Sequence, residues 1–207
     1  MFANYLFATN TLPPVSPCLF EYVVGSDGIF VRAKRPGLEA LIPISYSNDP
    51  IRGLAQVDPY VSIHRRVPEN LVKMMLYRAW QEGTREILYY LKADPWRILL
   101  PDQVQYGAAV RPVDPFVSGS DTLLEVHSHH HMSAFLSSTD DHEERAGFRL
   151  YAVLGRVNTN HPQILARVGI YGHFWTIPAD WVFELPSFVQ DAFYPEEILN
   201  HEPIPAY

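Results

Sequence analysis

Apolar and polar positions change period along the chain and divide it into elements. Leu19 to Val24 and Ile29 to Lys34 are two β-rich runs on either side of Gly25-Ser26-Asp27-Gly28, a turn that tolerates positive φ, and together they predict a β-hairpin. Leu38 to Ile44 predicts a third strand. Ahead of them, Met1 to Pro17 has little periodicity and holds Pro13, Pro14 and Pro17, which fits a leading arm or an edge segment. Ser45 to Pro59 gathers Asn, Asp, Pro and Gly between patterned segments, and closes a β-rich accessory unit over residues 1–59.

A second unit, residues 60–183, follows. Tyr60 to His64 predicts a strand, and Pro68 to Glu82 a helix, with proline in the first turn and Gly83 after the end. Leu71, Met75 and Ala79, beside Val72, Leu76 and Trp80, give that helix a broad buried face, and the Met74-Met75 pair reads as core. Glu86 to Leu91 and Thr122 to Val126 are strand-like. Ser137-Ser138-Thr139-Asp140 has the form of a helix start, Ser137 at the N-cap and Asp140 at the third helical position. Phe148 to Val157 and Ile164 to Tyr171, joined by the polar Asn158 to Pro162, predict a hairpin at a sheet edge. From Glu184 a tail over residues 184–207 mixes Pro186, Pro195, Pro203 and Pro205 with aromatics and acids, as a segment that drapes over the domain or waits for a partner would.

Composition narrows the function classes. A chain of 207 residues with 47% apolar content builds one sizeable core with accessory segments. A net charge of -7 argues against a nucleic-acid-binding surface as its main business. The one cysteine, Cys18, excludes an intramolecular disulfide framework and a Cys-based structural zinc site, and points to a reducing compartment. No apolar run approaches the length of a membrane span, and the N-terminus lacks a basic region followed by a long apolar segment, so a cytoplasmic protein is expected. There is no phosphate-cradling glycine motif, and no Ser-His-Asp or Cys-His pattern.

The candidate chemistry lies between Glu125 and Asp141. A strand ending at Val126 puts His127 and His129 on one face, where two imidazoles can reach one ion. The helix start at Ser137 aims Asp140 back toward the strand end. Two His and one carboxylate suit zinc with a fourth position left for water, and a hydrolase follows naturally. Each piece has a plainer alternative. Ser137 to Asp140 can be a capping box alone. Glu125 shares a face with His127 and can hold a ligand imidazole, or it can be a rim carboxylate paired with Arg111 or Arg149. His130 or His131 can replace a ligand only by losing the two-residue spacing, and Asp141 points about 100° away from Asp140 on a helix. His142, His161 and His173 are read as structural or surface residues, and Cys18, without basic neighbours, as no nucleophile.

His127-Ser128-His129, ten residues, Asp140, with Ser137 at a Ser-x-x-Asp position, resembles the motif of the JAMM (JAB/MPN) metalloproteases. With Phe148-Arg149-Leu150-Tyr151-Ala152-Val153-Leu154-Gly155 after it, the run is most similar to the bacterial branch called PRTRC system protein A. The resemblance implies an α/β (α+β) fold, a JAB/MPN-like, cytidine-deaminase-type mixed sheet flanked by helices, preceded here by the β-rich accessory unit. It implies zinc (Zn2+) on His127, His129 and Asp140. It also implies a catalytic base at the start of the strand after the first helix, which is Glu86, and an oxyanion donor at Ser137. On pattern alone Glu86 is a solvated carboxylate; Glu82 and Glu69 are weaker candidates because they sit on the helix. Two departures stand out: His130 where family members often carry proline, and Tyr89 where many relatives have glycine three residues after the base.

The implied function is a zinc metallopeptidase or isopeptidase that hydrolyses an amide bond next to a ubiquitin-like or sulfur-carrier-like tail laid along a sheet edge. An E1-like protein is the implied partner. The alternative is a non-catalytic MPN-type binding scaffold in a bacterial ubiquitin-like system, and a small-molecule amidase would share the metal chemistry.

Overall fold

The computed structural model describes residues 3–106 and 109–194. Within them the protein is a mixed α+β structure, mostly sheet, with two α-helices. In the first sheet, β2 (Phe20–Gly25) and β3 (Gly28–Arg35) form the expected hairpin, with Gly25 opposite Gly28 across the turn. β4 (Leu38–Tyr46) pairs antiparallel with β3. The leading arm supplies an edge strand, β1 (Ala3–Phe7), parallel to β2. The other edge is β5 (Tyr60–Ile63), antiparallel to β4. The strand expected to head the second unit therefore hydrogen-bonds to the first, and a boundary at residue 59 cuts through this sheet.

The second sheet runs β13-β12-β11-β10-β6-β7. Its strands are β6 (Leu88–Lys92), β7 (Arg97–Leu99), β10 (Thr122–Ser128), β11 (Phe148–Gly155), β12 (Gln163–Ile170) and β13 (His173–Ile177); β14 (Gln190–Asp191) pairs with β12. β8 (Gln103–Tyr106) and β9 (Ala109–Pro112) make a separate small hairpin. The β11–β12 hairpin is interior rather than at an edge, because β13 pairs outside β12.

β10 and β11 are parallel, and a parallel pair requires a crossover connection. That crossover contains α2 (Ser138–Glu144), and this topology returns the chain to the end of β10.

α1 (Glu69–Gln81), preceded by Pro68, buries Val72, Met75, Leu76 and Ala79, a stripe at helical spacing. Met75 is core, as expected, but Met74 is exposed, and so is Trp80 (59% exposed), which stacks on Tyr77 at 6.2 Å; their direction points off the stripe. α1 and the first sheet cover one face of the second sheet. Val31, Ala33, Ala40 and Ile42 share one apolar cluster with Val72, Met75, Tyr89, Leu91, Leu124, Val126, Leu150 and Ala152. Each fully buried Val, Leu, Ile or Met side chain there contributes about 1.5–3 kcal/mol of transfer free energy.

After Phe183 the chain stays on the domain: Glu184 N donates to Val67 O at 2.9 Å and β14 joins the sheet. The rest of the expected tail, including Pro195, Pro203 and Pro205, lies outside the described residues. No helix among the described residues is long and apolar enough to cross a membrane.

Candidate metal centre

Period-two alternation sorts the second sheet into two faces. Leu124 and Val126 of β10 enter the core, so Glu125 and His127 face the other side. The register sets Tyr90, Glu125, Tyr151 and Arg167 in one row across β6, β10, β11 and β12, and Leu88, His127, Val153 and Leu165 in the next.

His129 lies just past β10, but β11 still holds it. His129 N donates to Leu154 O, Arg156 N to Met132 O and Val157 N to His130 O, each at 2.7 Å. The turn approaches so closely that a Cβ on Gly155 would sit 2.0 Å from Ala134 N. His130 adopts φ +35 within this turn, a conformation uncommon for a non-glycine residue.

At the start of α2, Ser137 and Asp140 form a reciprocal cap. Ser137 N and Ser137 Oγ both donate to Asp140 Oδ2 at 2.6 Å, and Asp140 N donates to Ser137 Oγ at 3.3 Å. The capping box is present, and it leaves Asp140 Oδ1 facing His127 Nε2 at 3.5 Å. The two imidazole Nε2 atoms are 3.2 Å apart. Donor atoms of His127, His129 and Asp140 all lie within 4.8 Å of one another, so the three residues could hold a metal ion. A tetrahedral ion with bonds of about 2.0–2.1 Å spaces its ligand atoms about 3.3 Å apart, close to the two shorter separations.

The protonation states agree with that use. Burial holds the His127 imidazole well below its ordinary pKa against the opposing pull of Asp140, and it lowers His129 in the same way. Neutral imidazoles offer lone pairs to a cation. Burial works against the Asp140 carboxylate, but the adjacent imidazoles and the hydrogen bonds from Ser137 outweigh it and lower its pKa.

Glu86 precedes β6 by two residues rather than opening it. Ile87 N donates to Ser128 Oγ and Ser128 N to Ile87 O, both at 3.1 Å, which fixes the backbone beside Glu86 to the end of β10. Glu86 is 4% exposed and has no hydrogen-bond or ion-pair partner among the described residues. Burial, reinforced by the charge of Asp140, pushes its pKa up to about 7. Glu86, His127, His129, Ser137 and Asp140 line one cavity of about 70 Å³, with Ala109 and Val110 of β9 on its wall.

The other candidates lie elsewhere. Glu125 faces Arg149 at 3.5 Å, Arg111 pairs instead with Glu143 at 2.7 Å, and no hydrogen bond joins Glu125 to either candidate ligand histidine. Asp141 turns away onto Arg167. His130 is buried outside the triad, and His131, His142 and His161 are exposed. His173 meets Tyr22 Oη at 3.0 Å across the two sheets. Glu69 and Glu82 pair with Lys73 and Arg85 on the helix surface. Burial, then the charge of Glu21, raises the Cys18 thiol pKa, which keeps it protonated.

Two contributors went unread in the sequence. Ser128, the residue between the two histidines, faces the opposite way and reaches the segment carrying Glu86. Arg167 is 3% exposed within the apolar run of β12, and a charge in such a run signals a buried partner. Comparison with protein-family models and with curated proteins finds no match to this chain.

Proposed function

We propose that this protein is a zinc-dependent hydrolase of the JAMM type, cleaving an amide or isopeptide bond beside the flexible tail of a ubiquitin-like or sulfur-carrier-like protein. The observation that carries the reading is the convergence of His127, His129 and Asp140 in one cavity with a buried carboxylate, Glu86, that has no partner among the described residues. The mixed sheet with α2 in its β10–β11 crossover supports the JAB/MPN architecture suggested by the motif.

A zinc ion held there would lower the pKa of a water to about 7 and polarise the scissile carbonyl. Glu86, buried in the same cavity as the three candidate ligands, takes a proton from the attacking water and returns it to the leaving amine. Ser137 has one hydroxyl proton, and it points at Asp140 Oδ2, where it orients the ligand. Donation to the oxyanion requires the hydroxyl to leave Asp140 and turn into the cavity.

Size favours a tail over a small molecule. A cavity of about 70 Å³ is far below the ~300–1,000 Å³ of pockets that enclose whole ligands, so most of the substrate lies outside it. Ala109 and Val110 line the wall, and β9 pairs only with β8 among the described residues, leaving an open edge for an extended chain.

Metal analysis of the purified protein, with a cleavage assay on fusions to a ubiquitin-like tail, tests the proposal. Wild type carries zinc and cleaves; Glu86→Ala keeps zinc and loses about 10²–10⁴-fold in rate; His129→Ala loses both. Cleavage by Glu86→Ala at the wild-type rate removes the base assignment. Zinc and tail binding without cleavage by wild type points to the scaffold instead.

A further inference from the structure

α2 carries the proposed carboxylate ligand, yet its sequence, Ser138-Thr139-Asp140-Asp141-His142-Glu143-Glu144, has no apolar side chain to bury. The one residue it buries is Glu144. The nearest apolar anchor is Leu136, ahead of the cap, which packs against the small cluster of Ala134, Val153, Leu165 and Ala192. A helix that is polar all round needs something other than hydrophobic burial to fix it on a sheet.

That something is on β12. Arg167 Nε donates to Glu144 Oε2 at 2.7 Å, its Nη2 lies against the same oxygen, and its Nη1 donates to Asp141 Oδ1. The guanidinium carbon sits 4.1 Å from the ring centroid of Phe174 on β13, so the fork is backed by an aromatic face. Tyr151, in register with Arg167, donates its hydroxyl to Glu144 O at 2.9 Å. The contacts grip Asp141 and Glu144, three residues apart on one face of α2, and Asp140 is the immediate neighbour of Asp141.

We propose that Arg167 is a positioning residue for the metal centre: it pins α2 to the sheet through Asp141 and Glu144 and so holds the Asp140 carboxylate within reach of His127 and His129. This rests on the metal-centre reading above. It makes a prediction opposite to that of charge alone. Removing a cation near a site for a divalent cation should tighten metal binding if Arg167 acts only through its field. Losing a clamp should weaken it, as the loss of an outer partner of a ligand does, by about 10–100-fold.

The test is zinc affinity of the full chain by competition with a chromophoric chelator, alongside amide hydrogen exchange over residues 138–145 in zinc-free protein. Arg167→Met should bind zinc about 10–100-fold more weakly and exchange faster across α2, with Arg167→Lys, which keeps the charge but loses the fork, in between. Unchanged or tighter zinc binding by a folded Arg167→Met overturns the proposal. Should Arg167→Met fail to fold, wild-type affinity in Arg167→Lys overturns it instead. Absence of zinc binding in wild type sinks the metal-centre reading; the exchange comparison then decides the clamp by itself, and identical exchange in wild type and the folded variant (Arg167→Lys if Arg167→Met does not fold) overturns it.

Discussion

Gly155→Ala adds one methyl at a residue that is not itself a proposed ligand, and it should nevertheless disable the proposed zinc site. A Cβ at this position would lie 2.0 Å from Ala134 N and 2.5 Å from Ser133 C, both backbone atoms that cannot rotate aside. Relief to the 3.0 Å below which real Cβ contacts are essentially never found takes a shift of about 1 Å in the turn that follows His129. That turn is tied to Leu154 at the end of β11 and to Arg156 and Val157 just after it by three backbone hydrogen bonds of 2.7 Å, so it moves as a unit and takes His129 with it. Metal–ligand distances tolerate about 0.2 Å, several times less than the displacement. Overpacking of this kind costs about 1–3 kcal/mol, so the variant folds with a lowered urea midpoint. Its zinc affinity, by chelator competition, should fall at least about tenfold. Gly147→Ala is the control: nothing lies within 4 Å of a Cβ there, and it should change stability by no more than about 0.5 kcal/mol and leave zinc binding alone. Wild-type zinc affinity in Gly155→Ala would refute the view that the end of β11 positions His129.

Three further outcomes concern the scaffold. Glu21 (0% exposed) meets Arg32 at 2.6 Å; burial alone would raise its pKa, but hydrogen bonds from Ser16, Asn4 and Arg32 outweigh it and lower the pKa from 4.5. A depressed folded pKa means the contribution is whole above pH 4.5 and is lost as pH falls through the folded value, so chemical denaturation should show an acid limb that Glu21→Gln flattens. The same substitution leaves Arg32 buried without its partner and should cost about 3–5 kcal/mol at neutral pH. Tyr22→Phe removes the 3.0 Å contact with His173 Nε2 that bridges the sheets and should lower stability by about 0.5–1.5 kcal/mol in urea titration. Trp80→Ala, at a 59% exposed position, should stay within about 0.5 kcal/mol of wild type, whereas Met75→Ala, fully buried, should lose about 2–5 kcal/mol.

Local pattern carried what local physics decides. The hairpin at Gly25 to Gly28, α1 and the cap at Ser137 are specified by turn chemistry, helical spacing and a side chain three residues away, and each lies within a residue or two of its expected place. His127, His129 and Asp140 could be placed together because two of them share a strand face and the third sits on the helix of the crossover. Pairing between distant segments was not legible: nothing in Tyr60 to Ile63 says that it will bond to β4, and nothing in the leading arm names β2 as its neighbour. Trp80 is exposed despite its apolar character because hydrophobicity says what a residue prefers, not whether anything lies opposite to cover it. Glu86 is the sharpest case. A carboxylate near a strand start is ordinarily solvated, and only the packing of β10 and the α2 crossover around it turns it into a buried group.

The interior common to both sheets has a practical consequence. Val31, Ala33, Ala40 and Ile42 from the first sheet fill the same space as Leu124, Leu150 and Val168 from the second, so the amino-terminal strands serve as the missing wall of the half that carries the candidate metal centre. A shortened protein beginning at residue 60 would bare that wall to water and be expected to precipitate, even though every proposed ligand is still present in it. Expression work on this chain therefore has to keep both halves together.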